Sequence, residues 1–298
     1  MSARRPRPGR RTWRARAGWA VPLTTALLLA GAVPAAAAAP PVTVCGDGIK
    51  PAPFTVVPGD LRIEGTGCWG LSRLTVLGDL HVAPGAQANL ELSRVAGDVH
   101  VGRGAWAELS VDVAGGVHLD GADRVQVTGD IGRSIRGTAG RFGLWWSHVA
   151  GAVNVATSDR GGPGQPQFEV VRSEVGGWVS TQGGRTVVHD SWLHRGLTVR
   201  WGRSVLLSQT HVSADTTVLG TGGSVHLGDL RHQVLDPGVP THDPRRSTVV
   251  GDVQLERNRG AVVIGTTDVA GALVCTANDR TPRVLADTVA GSRAGQCA

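Results

Sequence analysis

The chain of 298 residues carries 30 basic and 24 acidic side chains, 43 glycines, no tyrosine and a formal net charge of +6. That charge is concentrated: seven arginines (Arg4, Arg5, Arg7, Arg10, Arg11, Arg14 and Arg16) and no acid fall within residues 1–39. The rest holds 23 basic residues against 24 acids, a net charge of −1, which gives no indication of a basic patch for nucleic acid.

In chain order, the first element reads as a cleaved signal peptide. The arginine-rich start is followed by the apolar run AVPLTTALLLAGAV from Ala20 to Val33 and by PAAAAAP, which places cleavage among Ala37 to Ala39. The apolar run is shorter than the roughly 20 residues that a spanning helix needs. Residues 40–298 are therefore expected to be exported, extracellular or wall-associated, with no stable membrane insertion after cleavage.

The next elements repeat. V-x-G-D-L-H-V at Val76–Val82 returns as V-x-G-D-V-H-V at Val95–Val101. With the glycine of V-x-G-x-V-x-V as origin, copies fall at Gly59, Gly78, Gly97, Gly115, Gly129, Gly151, Gly177, Gly251 and Gly271, with a degenerate copy at Gly291. Weaker copies centre on Arg195, Ala214 and His232, which makes about 13 in all. Most spacings are 18 to 20 residues, with 14 before Gly129, 22 before Gly151 and 26 before Gly177, where Gly161–Gln167 reads as a loop insertion. Repetition at this period is a solenoid signature.

Within a copy the apolar residues alternate with polar ones, as in Val99-His100-Val101, so each copy is a strand. A second short strand precedes it at Ala88–Leu92, Val170–Arg172, Val205–Leu207 and Val262–Ile264. No helical period occurs in the mature chain. Each repeat is thus a coil of two or three short strands joined by glycine-rich bends, and about 13 stacked coils make a rod on the order of 60 Å long. Four residues before the glycine a hydroxyl recurs (Ser93, Ser147, Ser173, Ser191, Thr210, Ser247, Thr267), expected to stack at one corner and satisfy backbone groups there. Val95, Val101, Ala107, Val113, Leu119, Val125 and Ile131 fall six apart, as in left-handed β-helices, but the variable coil length elsewhere favours a right-handed parallel β-helix.

Four cysteines in an exported chain point to disulfides, with three possible connectivities. Cys45 and Cys68 lie 23 residues apart near one end and Cys275 and Cys297 lie 22 apart near the other, each about one coil, so local pairs that pin the terminal coils are natural.

The chain resembles the right-handed parallel β-helix proteins. Its ending, C-T-A-N-x3-P followed by D-T-V-A-G-x3-G-Q-C from Cys275 to Cys297, is similar to that of uncharacterised secreted β-helix proteins of high-GC Gram-positive bacteria. The resemblance covers about residues 45–298. It implies the fold and export, and brings no activity, cofactor or site residue with it. The repeats also resemble those of bactofilin-type cytoskeletal β-helices, although disulfide-pinned ends argue for a monomer rather than a filament.

Three groups of residues could carry function. His81, His100 and His118 occupy one outward position in successive coils, with Asp79, Asp98 and Asp130 read two residues earlier in theirs; such a row could hold a transition metal or be polar cover on a solvated face. Of the mature chain's tryptophans, Trp178 and Trp192 come at outward phases in neighbouring coils and could stack on sugar rings, whereas Trp146 comes at an inward phase, like Leu92, and reads as core. Glycoside hydrolysis needs two carboxylates across a bond, and neither an Asp-Asp pair nor a break rich in carboxylates interrupts the repeat. The reading is a non-catalytic binding or structural module without cofactor, whose partner is an extracellular polysaccharide or cell-wall component. The alternative is a polysaccharide lyase or hydrolase working from one face.

Overall fold

The computed structural model describes residues 42–46, 49–158, 167–228, 246–285 and 288–298. The signal peptide, most of the Gly161–Gln167 insertion and the copy around His232 lie outside the described residues. Every described element is a strand, and all pairings between strands are parallel. The chain winds into a β-solenoid of about 12 turns. No family of apolar residues at helical spacing competes with the period-two pattern, so each coil can bury its apolar side only by stacking.

Each coil has three faces. Face one holds the repeat itself, as in Asp60–Ile63, Leu80–Val82 and Val99–Val101. Face two holds the second predicted strand, as in Phe168–Val171, Ser204–Ser208 and Val262–Gly265. Face three is a two- or three-residue strand, as in Thr75–Val76, Trp192–Leu193 and Thr267–Val269. Face one runs from Val42–Cys45 to Arg293–Gly295 in unbroken register. Alternation delivers one continuous core: Leu80, Val82, Val99 and Val101 are at most 2% exposed while His81 and His100 between them reach solvent. Each such Val or Leu contributes about 1.5–3 kcal/mol on burial.

One copy of the repeat is displaced from its expected place. The coil assigned to Gly129 turns instead at Arg133, because Ile135 pairs with Val117 on one side and Val153 on the other, 18 residues away each time. The irregular spacings of 14 and 22 vanish with that shift. Gly129 occupies the hydroxyl column instead, in register with Ser147, and its φ of 122° is one that a side chain would resist. Thr216 pairs directly with Val253, so the described coils on either side of the His232 copy are neighbours in the stack.

The corners explain the rest of the motif. Between faces two and three, Arg73, Leu92, Trp146, Arg172, Asp190, Gln209 and Thr266 all adopt left-handed backbone with φ of 45–54°. That conformation costs a non-glycine residue roughly 1–2 kcal/mol. Except after Arg73, where Leu74 follows, a buried hydroxyl comes next and offsets it: Ser173 Oγ donates to Val171 O at 2.8 Å and accepts from Ser147 N at 3.2 Å, and the same ladder links Ser191 to Ser173. The positive φ also breaks period two, which overturns the core reading of Trp146 and Leu92: they are 55% and 69% exposed.

Between faces three and one stands the glycine-aspartate pair. Asp60 Oδ1 accepts from Asp79 N at 2.8 Å, Asp79 Oδ1 from Asp98 N at 2.8 Å and Asp98 Oδ1 from Gly116 N at 2.7 Å. The carboxylate then fills the space above the next coil's glycine, so a Cβ on Gly78, Gly97 or Gly115 would collide with it. The aspartates are thus axial struts and not mere polar cover. At the two ends the cysteines pair as Cys45–Cys68 and Cys275–Cys297, with Cα–Cα separations of 6.0 and 5.3 Å.

Candidate functional site

Face one carries the histidines outward in one straight row. The parallel register sets Arg62 against His81, His81 against His100, His100 against His118 and His118 against Arg136. The three imidazoles stack, with ring centroids 4.9 Å apart in both steps and interplanar angles of 9° and 14°. Asp130 does not belong beside them: it lies on face three, in register with His148, and its N–H reaches Asp112 Oδ1 at 3.3 Å. Asp60 takes its place, with Oδ2 3.9 Å from His81 Nε2.

Hydrogen bonds assign the tautomer at one end. Arg136 Nε donates to His118 Nδ1 at 3.0 Å, so Nδ1 carries a lone pair and the ring proton sits on Nε2, 3.4 Å from Asp98 Oδ2. The Gly116 N–H, and after it His118, hold the Asp98 carboxyl below the usual carboxylate range despite partial burial. In the middle of the row, burial lowers the pKa of His100, and the flanking His81 and His118 lower it further against the pull of Asp79 and Asp98. The in-plane lone pairs of stacked rings run parallel and do not converge on one ion. Among the described residues no group of histidine, cysteine and acid is arranged to hold a metal.

The row lines an open groove of about 640 Å³. Asp60 and Arg62 stand at one end and Asp120 and Arg136 at the other, and Val82, Ala83, Pro84 and Val101 supply its apolar wall. Arg136 was not singled out by sequence reasoning; its signal was S-I-R-G in the register of D-L-R-I, hidden by the misplaced copy at Gly129.

The tryptophans form a second feature. Trp192 is 50% exposed on face three, stacked on His194 at 5.0 Å and met edge-on by His211 at 5.3 Å. Its Nε1 donates to Ser213 Oγ at 3.3 Å, and His194 Nε2 lies 2.6 Å from Glu174 Oε1. Trp178, 45% exposed, occupies the aspartate corner, and its ring lies over Gly196, two residues after His194, where a Cβ would collide with it. The two tryptophans therefore mark one edge of the rod in adjacent coils, as expected, but Trp178 is also a cover for bare backbone.

Carboxylates on face two line up without meeting. Glu108, Gln126, Gly143 and Glu169 are register partners in sequence, which separates Glu108 from Glu169 by three coil steps, about 14 Å at the strand spacing. Glycoside hydrolases work with carboxyl groups roughly 5–9.5 Å apart. Burial raises the Glu169 pKa, while Arg185 and Arg124 oppose the rise.

A buried amide ladder near the last coils escaped sequence reasoning. Asn258 N donates to Asn278 Oδ1 at 3.0 Å, Asn278 N to Gln296 Oε1 at 2.7 Å, and Asn278 Nδ2 to Leu255 O at 2.9 Å. Its signal was the amide three residues after each face-one apolar position: Leu255 and Asn258, Cys275 and Asn278. Compared with protein-family models, curated proteins and solved structures, the chain matches none.

Proposed function

We propose that the protein is an exported, monomeric and non-catalytic solenoid that binds polysaccharide, extracellular or in the cell wall, along the edge marked by Trp178 and Trp192. The observation that carries this reading is the setting of Trp192. A half-exposed indole is held rigid by two imidazoles, and Glu174, His194 and Ser213 supply hydrogen-bonding groups around its flat face. An apolar ring beside polar groups suits the apolar face and hydroxyl rim of a pyranose. The four cysteines, paired near both ends, fit an oxidising compartment outside the cytosol.

The test uses oxidised protein lacking the leader, mixed with insoluble bacterial and plant polysaccharides. Co-sedimentation that falls at least tenfold in Trp192→Ala, with no soluble sugar released, is the expected result. Binding unchanged in both Trp192→Ala and Trp178→Ala sinks the reading. Release of soluble oligosaccharide by the parent protein would establish the enzyme alternative, a lyase or hydrolase working from one face, instead.

A further inference from the structure

We propose that the groove along Arg62, His81, His100, His118 and Arg136 is a second binding site, one that takes a linear carboxylate-bearing polysaccharide and takes it more tightly as the pH falls. The site goes beyond the tryptophan edge and does not depend on it.

Geometry points to a chain rather than a small anion. The groove is straight, open along the rod axis and spans five coils, about 19 Å at the strand spacing. It offers one nitrogen heterocycle per coil at a 4.9 Å repeat, with a guanidinium at each end. An extended polymer lying in it meets a donor at each step, against the apolar wall of Val82, Ala83 and Pro84.

Charge points to acid groups on that chain. Of the groups at the two ends of the groove, Asp60 and Asp120 offset Arg62 and Arg136. Glu64 is paired to Arg62 at 2.7 Å, outside the row. The remaining acids facing the imidazoles are Asp79 and Asp98, whose Oδ1 atoms are committed to backbone N–H groups of the next coil. Arg133 adds a positive charge near Asp98. Counting Asp60, Glu64, Asp79, Asp98 and Asp120 against Arg62, Arg133 and Arg136, the surroundings carry five negative and three positive charges at neutral pH, a net −2, and protonation of the three rings turns that to +1. Stacked imidazolium ions repel one another, and a carboxylate laid against each would relieve that repulsion. Protonation and an acidic ligand must then favour each other by linkage. One linked proton is worth tenfold in affinity per pH unit between the free and bound pKa values of the ring.

The test is a titration of the oxidised mature protein with hexa-galacturonate at pH 7.5 and pH 5.0. A neutral hexasaccharide and inorganic polyphosphate serve as controls, and imidazole resonances are followed by NMR. The expected result is binding at least tenfold tighter at pH 5.0, with shifts confined to the three ring systems of the row. That ratio should collapse towards one in His81→Gln/His100→Gln/His118→Gln, and Arg136→Gln should weaken binding at both pH values. Binding shared by the neutral hexasaccharide belongs to the tryptophan edge and should be lost in Trp178→Ala/Trp192→Ala, whereas the pH ratio and the ring shifts should persist in that variant, so the two sites can fail separately. In the Trp178→Ala/Trp192→Ala background, affinity independent of pH, equal binding of the neutral sugar, a preference for polyphosphate, or a pH ratio intact after the three histidine changes would each overturn the proposal. Arg136→Gln alone keeps it testable if the triple variant does not fold.

Discussion

Asp79→Ala is the sharpest test of how the coils are held in register. Asp79 Oδ1 accepts the Asp98 N–H at 2.8 Å in a partly buried corner. The alanine leaves that N–H without its acceptor, because Gly97 beside it contributes no side chain. An orphaned donor in such a place costs about 1–3 kcal/mol. Partial solvent access puts the expectation in the lower half of that range, about 1–2 kcal/mol. Asp79→Asn keeps an oxygen in the same position and should cost less than about 1 kcal/mol. Urea unfolding gives the global loss, and a domain of this size should drop about 2–4 °C in Tm per kcal/mol. Amide exchange gives the local one: protection of the Asp98 N–H should fall about tenfold per 1.4 kcal/mol, and the Gly97 N–H, bonded to Gly78 O at 2.9 Å, should follow less steeply. If the alanine variant matches the parent within 0.5 kcal/mol, or if alanine and asparagine behave alike, the aspartate is only solvated cover and the strut account is wrong.

Other expectations follow from the same structure. Reducing Cys45–Cys68 or Cys275–Cys297 should cost about 2–4 kcal/mol per bridge, and hydrogen exchange should accelerate first in the coils at the corresponding end. Trp146→Ala should change stability by less than about 0.5 kcal/mol in thermal melts; a loss of 3–5 kcal/mol, the cost of truncating a buried tryptophan, would put the ring back in the core. Asn278→Ala should cost about 1–3 kcal/mol for each backbone group it orphans, read by urea denaturation, with Asn258 N and Leu255 O the groups affected. Since the folded pKa of His100 lies below its unfolded value, the unfolded chain binds more protons, so stability is full above about pH 6.5 and declines as the pH falls towards the folded value. His226, lowered by burial, acts in the same direction, and Asp98 adds a loss below about pH 3.8 as it is protonated. His100→Gln should flatten the stability profile between pH 6.5 and 5, and an unaltered slope would remove His100 from the account.

The sequence by itself determined the solenoid, the alternation that sorts Val99 and Val101 from His100, the hydroxyl column and the pairing of cysteines one coil apart. These are local properties: period two is set by the pleat, and a ladder needs only the same residue type at the same phase of each coil. Tertiary structure alone decided what happens at corners and between coils. Left-handed backbone at Leu92 and Trp146 reverses the side on which a residue falls, and no count along the chain shows it. The coil at Arg133 was hidden because Gly129 satisfies the motif while its place is set by the neighbours above and below. Asp79 and Asp98 looked solvated until the next coil's N–H was seen resting on each carboxylate. Arg62 and Arg136, 74 residues apart, share one groove with three histidines only because the coils between them advance by one strand spacing per turn.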